Sequence, residues 1–181
     1  MKVSSYLKFW IKSYKSKEKV FTARYNSIYD IHYNHLLEQG VKLIIFDVDD
    51  TLTSHHGNLP LKTINLLKEL SDNFKIAFLT NRTSKKRDKL NKLTDIIKIH
   101  IEQSSKKPSA KGYINVINRF NLKPSEVAMV GDRVGTDLWG AVNSKISHRI
   151  LVKPYSKAFS GRKANIFVML FRWLEKRYAL A

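Results

Sequence analysis

The chain has 181 residues, with 33 Lys+Arg against 15 Asp+Glu for a formal net charge of +18, and this length suits a single domain with a sizeable core. A hydrophobic content of 43% is too high for a disordered chain despite that charge. The absence of cysteine excludes disulfides, thiolate metal sites and cysteine nucleophiles, and seven glycines and four prolines exclude collagen-like or low-complexity sequence.

In chain order, residues 1–24 form a basic segment with seven Lys or Arg and only Glu18 opposing them. Leu7, Trp10, Ile11 and Tyr14 fall at helical spacing within it, so the segment reads as an amphipathic helix. Val41 to Phe46 is apolar apart from Lys42 and follows Gly40, the signature of a strand buried on both faces. Ile76–Leu79, Ile96–Ile101 and Val127–Val130 repeat that signature, and Ile150–Val152 is a weaker fifth. Helical patterns lie between them at Leu61–Leu70, Ser84–Leu93, Ala110–Phe120 and Thr136–Val142. Strand and helix in alternation predict an α/β fold with a central parallel sheet. Residues 156–181 close the chain as a second basic amphipathic helix, with Ile166, Phe167, Leu170, Phe171 and Leu174 in one stripe. The expected organisation is one domain over 1–181, with a catalytic core at 25–155 between the basic ends.

Residues 1–24 and 153–181 carry two-thirds of the excess charge. Basic amphipathic helices with Trp and Phe suit an anionic membrane surface, although such helices also cover the core of their own domain. Nucleic acid is the other natural partner for this charge, but no zinc finger, RNA-binding aromatic signature or heptad-linked basic region accompanies it. The longest apolar run, Ile166 to Phe171, is far too short to span a bilayer, and Lys8 and Lys12 interrupt any signal-peptide core. The expected location is the cytoplasm, with peripheral association at the inner face of the membrane.

Polar residues gather at the predicted strand ends. Asp47 and Asp49 follow the first strand, Thr80 and Asn81 the second, Lys106 and Lys107 the third, and Gly131 and Asp132 the fourth. Open α/β sheets bind ligands at that edge. Strand periodicity turns Asp47 and Asp49 to the same side and Val48 back into the core. Two carboxylates so close need a cation, and an all-oxygen set with a third carboxylate in Asp132 suits Mg²⁺. Lys106 and Lys107 both remain candidates for holding an anion there, while Asp50, Thr51 and Asp137 read equally as helix-start residues. His55 and His56 read as solvated loop residues, and Arg133 as either a phosphate ligand or a local counter-charge.

The string Asp47-Val48-Asp49-Asp50-Thr51 resembles the first motif of the haloacid dehalogenase superfamily, Asp-x-Asp-x-Thr after an apolar strand. Thr80, Lys107 before Pro108, and Gly131-Asp132-Arg133-Val134-Gly135-Thr136-Asp137 resemble the second, third and fourth motifs, in the family's order. The likeness extends to the YqeG branch of subclass IIIA, related to phosphatidylglycerophosphate phosphatases, through Ser27-Ile28-Tyr29-Asp30-Ile31 and the ending Phe171 to Arg177. Asp50 departs from that branch, which often has Asn there.

The resemblance implies a Rossmann-like three-layer fold and hydrolysis of a phosphate monoester. Asp47 would attack phosphorus and form an aspartyl-phosphate, with Asp49 as acid and then base. Mg²⁺ would be held by Asp47, the backbone carbonyl of Asp49 and Asp132. Thr51, Thr80, Asn81 and Lys107 would bind the phosphoryl group, and Asp137 would orient Lys107 or a metal-bound water.

The intervals from Asp47 to Thr80 and from Thr80 to Lys107 are filled by predicted core elements and leave no room for a cap domain. An open site suits large or surface-bound substrates. Phosphatidylglycerophosphate at the membrane surface is the specific expectation. A soluble sugar phosphate, a nucleotide, a nucleic-acid end, or a non-catalytic RNA- or ribosome-associated role are the alternatives.

Overall fold

The computed structural model describes residues 20–54, 57–81, 99–103, 106–155 and 173. The expected helix at Ser84–Leu93, the start of the strand expected at Ile96–Ile101, His55, His56, residues 1–19 and, apart from Trp173, residues 156–181 lie outside them.

Six strands form one parallel sheet: β1 (Ala23–Tyr25), β2 (Leu43–Phe46), β3 (Lys75–Thr80), β4 (Ile99–Gln103), β5 (Val127–Gly131) and β6 (His148–Val152). Their order across the sheet is β1-β6-β5-β2-β3-β4. From β2 the chain steps outward to β3 and β4, then returns to the opposite side of β2 as β5 and continues to β6. The direction of winding therefore reverses between β2 and β5, the point at which such sheets open a crevice for ligands.

The central strands are apolar throughout because helices cover both faces, and alternate residues serve each face. Ile44, Phe46, Ile76, Phe78, Ala128 and Val130 pack with Leu67 and Leu70 of α2 (Leu61–Ser71) and with Leu36 of α1 (Tyr33–Glu38). Leu43, Ile45, Ala77, Leu79, Val127 and Met129 pack with Tyr113, Val116 and Ile117 of α3 (Ala110–Arg119), and with Ala141 of α4 (Trp139–Asn143). Each fully buried aliphatic side chain contributes on the order of 1.5–3 kcal/mol relative to exposure. Helix α2 buries Thr63, Leu67 and Leu70 at helical spacing, and α3 starts where the Ser109 hydroxyl accepts the Lys111 N–H at 3.3 Å.

The sheet and its flanking helices are the α/β architecture expected. The edge strand β1 was not among the predicted strands and crosses the boundary drawn between residues 24 and 25. Its sequence, Ala-Arg-Tyr, has no apolar run because an edge strand is only partly covered. Helix α1 and the 3₁₀ turn Ile28–Asp30 were likewise too short to show a period. The helix expected from Thr136 instead begins as a π-helical stretch at Val134–Leu138 before continuing as α4.

Candidate active site at the switch point

Strand β2 delivers Asp47 to the crevice. The Asp47 N–H donates to the Val130 carbonyl at 2.9 Å, extending the β2–β5 ladder by one residue, so its side chain shares a face with Leu43 and Ile45. Val48 points the other way and is fully buried in the opposite layer. The chain then turns sharply. Leu52 N–H donates to the Val48 carbonyl at 3.0 Å, Asp50 adopts φ 64°, and its N–H donates to Thr53 O at 2.8 Å. A positive φ at a non-glycine residue is uncommon, and Asp is among the residues that adopt it most readily. The Thr63 hydroxyl holds the turn from beneath by donating to Leu52 O at 3.2 Å, and Tyr29 Oη lies 2.7 Å from that hydroxyl.

Lys107 is the cation of the site. It is 6% exposed, and its Nζ donates to Asp47 Oδ1 and, at 2.7 Å, to Asp137 Oδ1. Lys106 is exposed, with φ 45°. Of the two lysines, Lys107 is the one that reaches the carboxylates. Burial disfavours the charged ammonium, but Asp137 and Asp47 outweigh it and hold the Lys107 pKa above the ordinary lysine value. Burial also pushes the Asp47 carboxyl up to about 7; Lys107 opposes that rise, and Asp137 and Asp49 add to it.

Asp137 is held on every side. Its Oδ2 accepts the Arg133 N–H at 3.1 Å, its Oδ1 lies 3.4 Å from the Thr136 hydroxyl, and its backbone carbonyl accepts from Tyr113 Oη at 2.9 Å. A Cβ on Gly131 would stand 2.5 Å from Asp137 Cβ, so only glycine lets β5 end this close to the carboxylate. A Cβ on Gly140 would likewise overlap the Tyr113 ring.

Thr51 joins the other carboxylates. Its buried hydroxyl donates to Asp47 Oδ2 at 3.2 Å, accepts the Asp132 N–H at 3.1 Å and lies 3.5 Å from Asp132 Oδ1. Carboxylate oxygens of Asp47, Asp132 and Asp137 lie within 4.8 Å of one another. Among the described residues, three carboxylates gather around the Lys107 ammonium, and the donors are all oxygen. That set fits a divalent hard cation.

Sequence reasoning brought Asp47, Asp49, Thr80, Lys107 and Asp132 to one sheet edge and the resemblance added Asp137; the structure has the five at that edge, with Asp137 on the following helical stretch beside Lys107. Thr80 ends β3 and is buried; Asp49 sits half-buried in the turn, bridged to Thr53. Two side chains differ from expectation. The Thr51 hydroxyl, expected on phosphate, lies between Asp47 and Asp132. The Asn81 carbonyl oxygen accepts the Lys107 N–H at 3.3 Å, which fixes the backbone from which Lys107 reaches inward. Tyr113 was missed: its position on the buried stripe of α3 marks it as core, and nothing in a periodicity reveals where its hydroxyl goes.

The sequence model of the haloacid dehalogenase-like hydrolases matches residues 59–144. A relative from Bacillus subtilis (strain 168), "Probable phosphatase YqeG", is 28% identical over 134 residues, covering 73% of this chain and 76% of the relative. Among solved structures, a protein of Listeria monocytogenes serotype 4b aligns with TM-score 0.53 and 19% identity over 70% of this chain and 88% of its own. The magnesium-bound HAD-hydrolase YfnB of Bacillus subtilis aligns with TM-score 0.50 and 15% identity, over 60% of this chain and 85% of its own. Residues 59–144 thus match a haloacid dehalogenase-like hydrolase domain, and the solved structures share the fold of the chain.

Proposed function

From that likeness, we propose that the chain is a phosphate monoester hydrolase whose nucleophile is Asp47. The observation that carries the reading is the Lys107 ammonium between Asp47 and Asp137 at the point where the sheet reverses. A structural ion pair has no need of that location, whereas a phosphoryl-transfer site requires a nucleophile and a fixed cation within reach of one phosphate.

In this reading the Asp47 carboxylate attacks phosphorus, an Asp47–phosphorus bond forms, and the bond to the leaving oxygen breaks. Asp49 gives its proton to the departing alkoxide. Water then attacks the aspartyl-phosphate while Asp49 takes a proton from it, releasing phosphate and restoring Asp47. Lys107 stays charged throughout, favours the ionised form of Asp47 and offers a donor to the phosphoryl oxygens. Thr80 offers a second donor from the end of β3. Asp137 and Asn81 hold Lys107 in place, and Thr51 fixes the relative position of Asp47 and Asp132. Asp47, Asp132 and the Asp49 backbone carbonyl would hold Mg²⁺, which when bound neutralises charge on the phosphate. Asp137, whose oxygens already accept from Lys107 and Arg133, supports that set from behind.

The substrate class follows from openness and charge. Between Asp47 and Thr80 the described residues hold only the turn, a short loop and α2, with no inserted cap. The sequence-derived basic, aromatic stripes at both ends of the chain suit an anionic surface, and phosphatidylglycerophosphate in a bilayer is the proposed substrate. No helix among the described residues is long and apolar enough to cross a membrane, so contact with lipid would be peripheral.

The test is phosphate release by the full chain from an aryl phosphate, phosphatidylglycerophosphate vesicles, sugar phosphates, nucleotides and 3′-phosphorylated oligonucleotides, with Mg²⁺ or chelator. Asp47→Asn should abolish turnover on every substrate. Mg²⁺ should raise the melting temperature of the wild type, since a ligand that binds only the folded state stabilises it, and Asp132→Asn should remove that shift. Turnover by Asp47→Asn would refute the nucleophile, and a non-catalytic module would release no phosphate from any of the five.

A further inference from the structure

The string Ser27-Ile28-Tyr29-Asp30-Ile31 supplies none of the six residues named at the crevice and lies outside residues 59–144, the span of the family match. One of its side chains nevertheless reaches the turn that carries Asp49. Tyr29 Oη lies 2.7 Å from Thr63 Oγ1, and Thr63 Oγ1 lies 3.2 Å from the Leu52 carbonyl oxygen. A carbonyl only accepts and threonine has one hydroxyl proton, so Thr63 donates to Leu52 O and Tyr29 donates to Thr63. Two hydroxyls in series thus end on one backbone carbonyl of the turn.

That carbonyl belongs to the peptide unit that frames Asp49. The same planar unit carries the Thr53 N–H, which donates to Val48 O at 3.3 Å. The Thr53 carbonyl in turn accepts the Asp50 N–H at 2.8 Å. Thr53 is therefore bonded to the residues on both sides of Asp49, and Asp49 is bridged to it as well. Fixing the plane between Leu52 and Thr53 fixes the backbone from which the Asp49 side chain leaves. Val48 O and Asp50 O accept from backbone donors, the latter from the Tyr155 N–H at 2.6 Å, whereas Leu52 O accepts from a side chain.

Both hydroxyls stand on firm supports. Thr63 is fully buried in the first turn of α2, and its hydroxyl crosses to a residue eleven positions earlier instead of serving its own helix. Tyr29 sits on the 3₁₀ turn Ile28–Asp30, where its N–H donates to the Ser27 hydroxyl at 3.2 Å and Tyr33 Oη donates to Ile28 O at 2.8 Å. The Tyr29 ring packs against the core layer that holds Val48 and Leu52, and Lys62 Nζ lies 4.0 Å from its centre. Packing alone would be served equally by phenylalanine; the hydroxyl is the part that reaches Thr63.

We propose that Tyr29 and Thr63 are positioning residues for leaving-group protonation, a two-hydroxyl strut that sets the turn bearing Asp49. The inference rests on the phosphatase reading, in which Asp49 gives its proton to the departing oxygen. A general acid works only within hydrogen-bond reach of that oxygen. A small rotation of its backbone therefore falls hardest on substrates whose leaving group needs the proton.

Two measurements on the full chain test the strut and its consequence separately. Amide hydrogen exchange needs no turnover. Tyr29→Phe and Thr63→Val should speed exchange at the Asp50, Leu52 and Thr53 N–H groups roughly fivefold relative to those of α3, the factor for one ordinary hydrogen bond, and Thr63→Ser should keep the wild-type rate. In the kinetic arm, kcat/KM for phenyl phosphate should fall roughly tenfold in Tyr29→Phe and Thr63→Val. For p-nitrophenyl phosphate, whose leaving oxygen departs without a proton, the fall should be about twofold or less. Thr63→Ser should retain the wild-type ratio between the two phosphates. Equal losses on both phosphates, no loss on either, or unaltered exchange at the three amides would overturn the proposal. A wild type that hydrolyses neither phosphate while the variants show the exchange effect would overturn the phosphatase reading and, with it, the catalytic half of this inference.

Discussion

The Tyr113 hydroxyl, on the fully buried face of α3, donates to the backbone carbonyl of Asp137 at 2.9 Å and thereby ties a core helix to the carboxylate that holds Lys107. The ring packs against Gly140, and the bond lies behind the site rather than in it. Tyr113→Phe keeps the packing and removes the donor. Loss of one buried hydrogen bond of this kind costs about 1–2 kcal/mol, so the melting temperature should drop by several degrees with only a modest fall in kcat. Thermal unfolding followed by circular dichroism measures the first, and phosphate release the second.

Gly131→Ala tests the close approach of β5 to Asp137. The added Cβ meets Asp137 Cβ, Cγ and Oδ2 at 2.5–2.8 Å, and neither partner is the free end of a flexible side chain. Asp137 must shift, and Lys107 with it. Overpacking costs about 1–3 kcal/mol, but the larger effect falls on catalysis, where a displacement near 1 Å costs roughly a hundredfold. A folded Gly131→Ala protein with wild-type kcat would contradict this coupling.

Lys107→Met and Lys106→Met should separate sharply although the residues are adjacent. Removing the Lys107 ammonium leaves Asp47 and Asp137 buried beside each other with no cation, and breaking such a pair costs about 3–5 kcal/mol. Lys106 is exposed, and its replacement should stay within about 0.5 kcal/mol. Urea unfolding midpoints of the two variants give the comparison directly.

His100 and His148 predict one component of the pH dependence of stability. Burial lowers both pKa values from the ordinary histidine value of about 6.5, with Arg119 adding to the effect at His100, and Arg149 and His35 at His148. The unfolded chain then binds more protons than the native state below that pH. Their contribution to stability is complete above about pH 6.5 and is lost as pH falls through the lower folded values. Asp47 acts in the opposite sense, because its raised pKa of about 7 lets the native state hold a proton that the unfolded chain releases, and stability from it declines as pH rises. Comparing wild type with His100→Asn/His148→Asn cancels the Asp47 contribution. Between pH 7.5 and 5.5 the double variant should lose less melting temperature than the wild type; equal losses would remove the histidine account.

The central strands were legible in the sequence for a plain reason. A strand covered by helices on both sides has no polar face, so Val127–Val130 and Val41–Phe46 stand out as short apolar runs, with acids following soon after each. Helix α2 showed itself as the helical pattern over Leu61–Leu70 for a similar reason. Strand β1 and helix α1 escaped because they are short and lie at an edge, where half-covered residues carry no period. The π-helical entry to α4 escaped because a change in backbone hydrogen bonding alters no residue type.

For the site, the sequence by itself determined which residues end the strands, and hence that acids, a hydroxyl and a lysine would meet at one edge of a parallel sheet. Only the tertiary structure decided how they divide the work. It showed Lys107, which the motif favours over Lys106, reaching the carboxylates, turned the Thr51 hydroxyl between Asp47 and Asp132, set the Asn81 carbonyl oxygen to accept the Lys107 N–H, and revealed Tyr113 behind Asp137. Periodicity records which face a residue takes, because burial on that face is a local property of the chain. The direction of a single hydroxyl or ammonium depends on partners 24 to 81 residues away in sequence, and no local pattern encodes them.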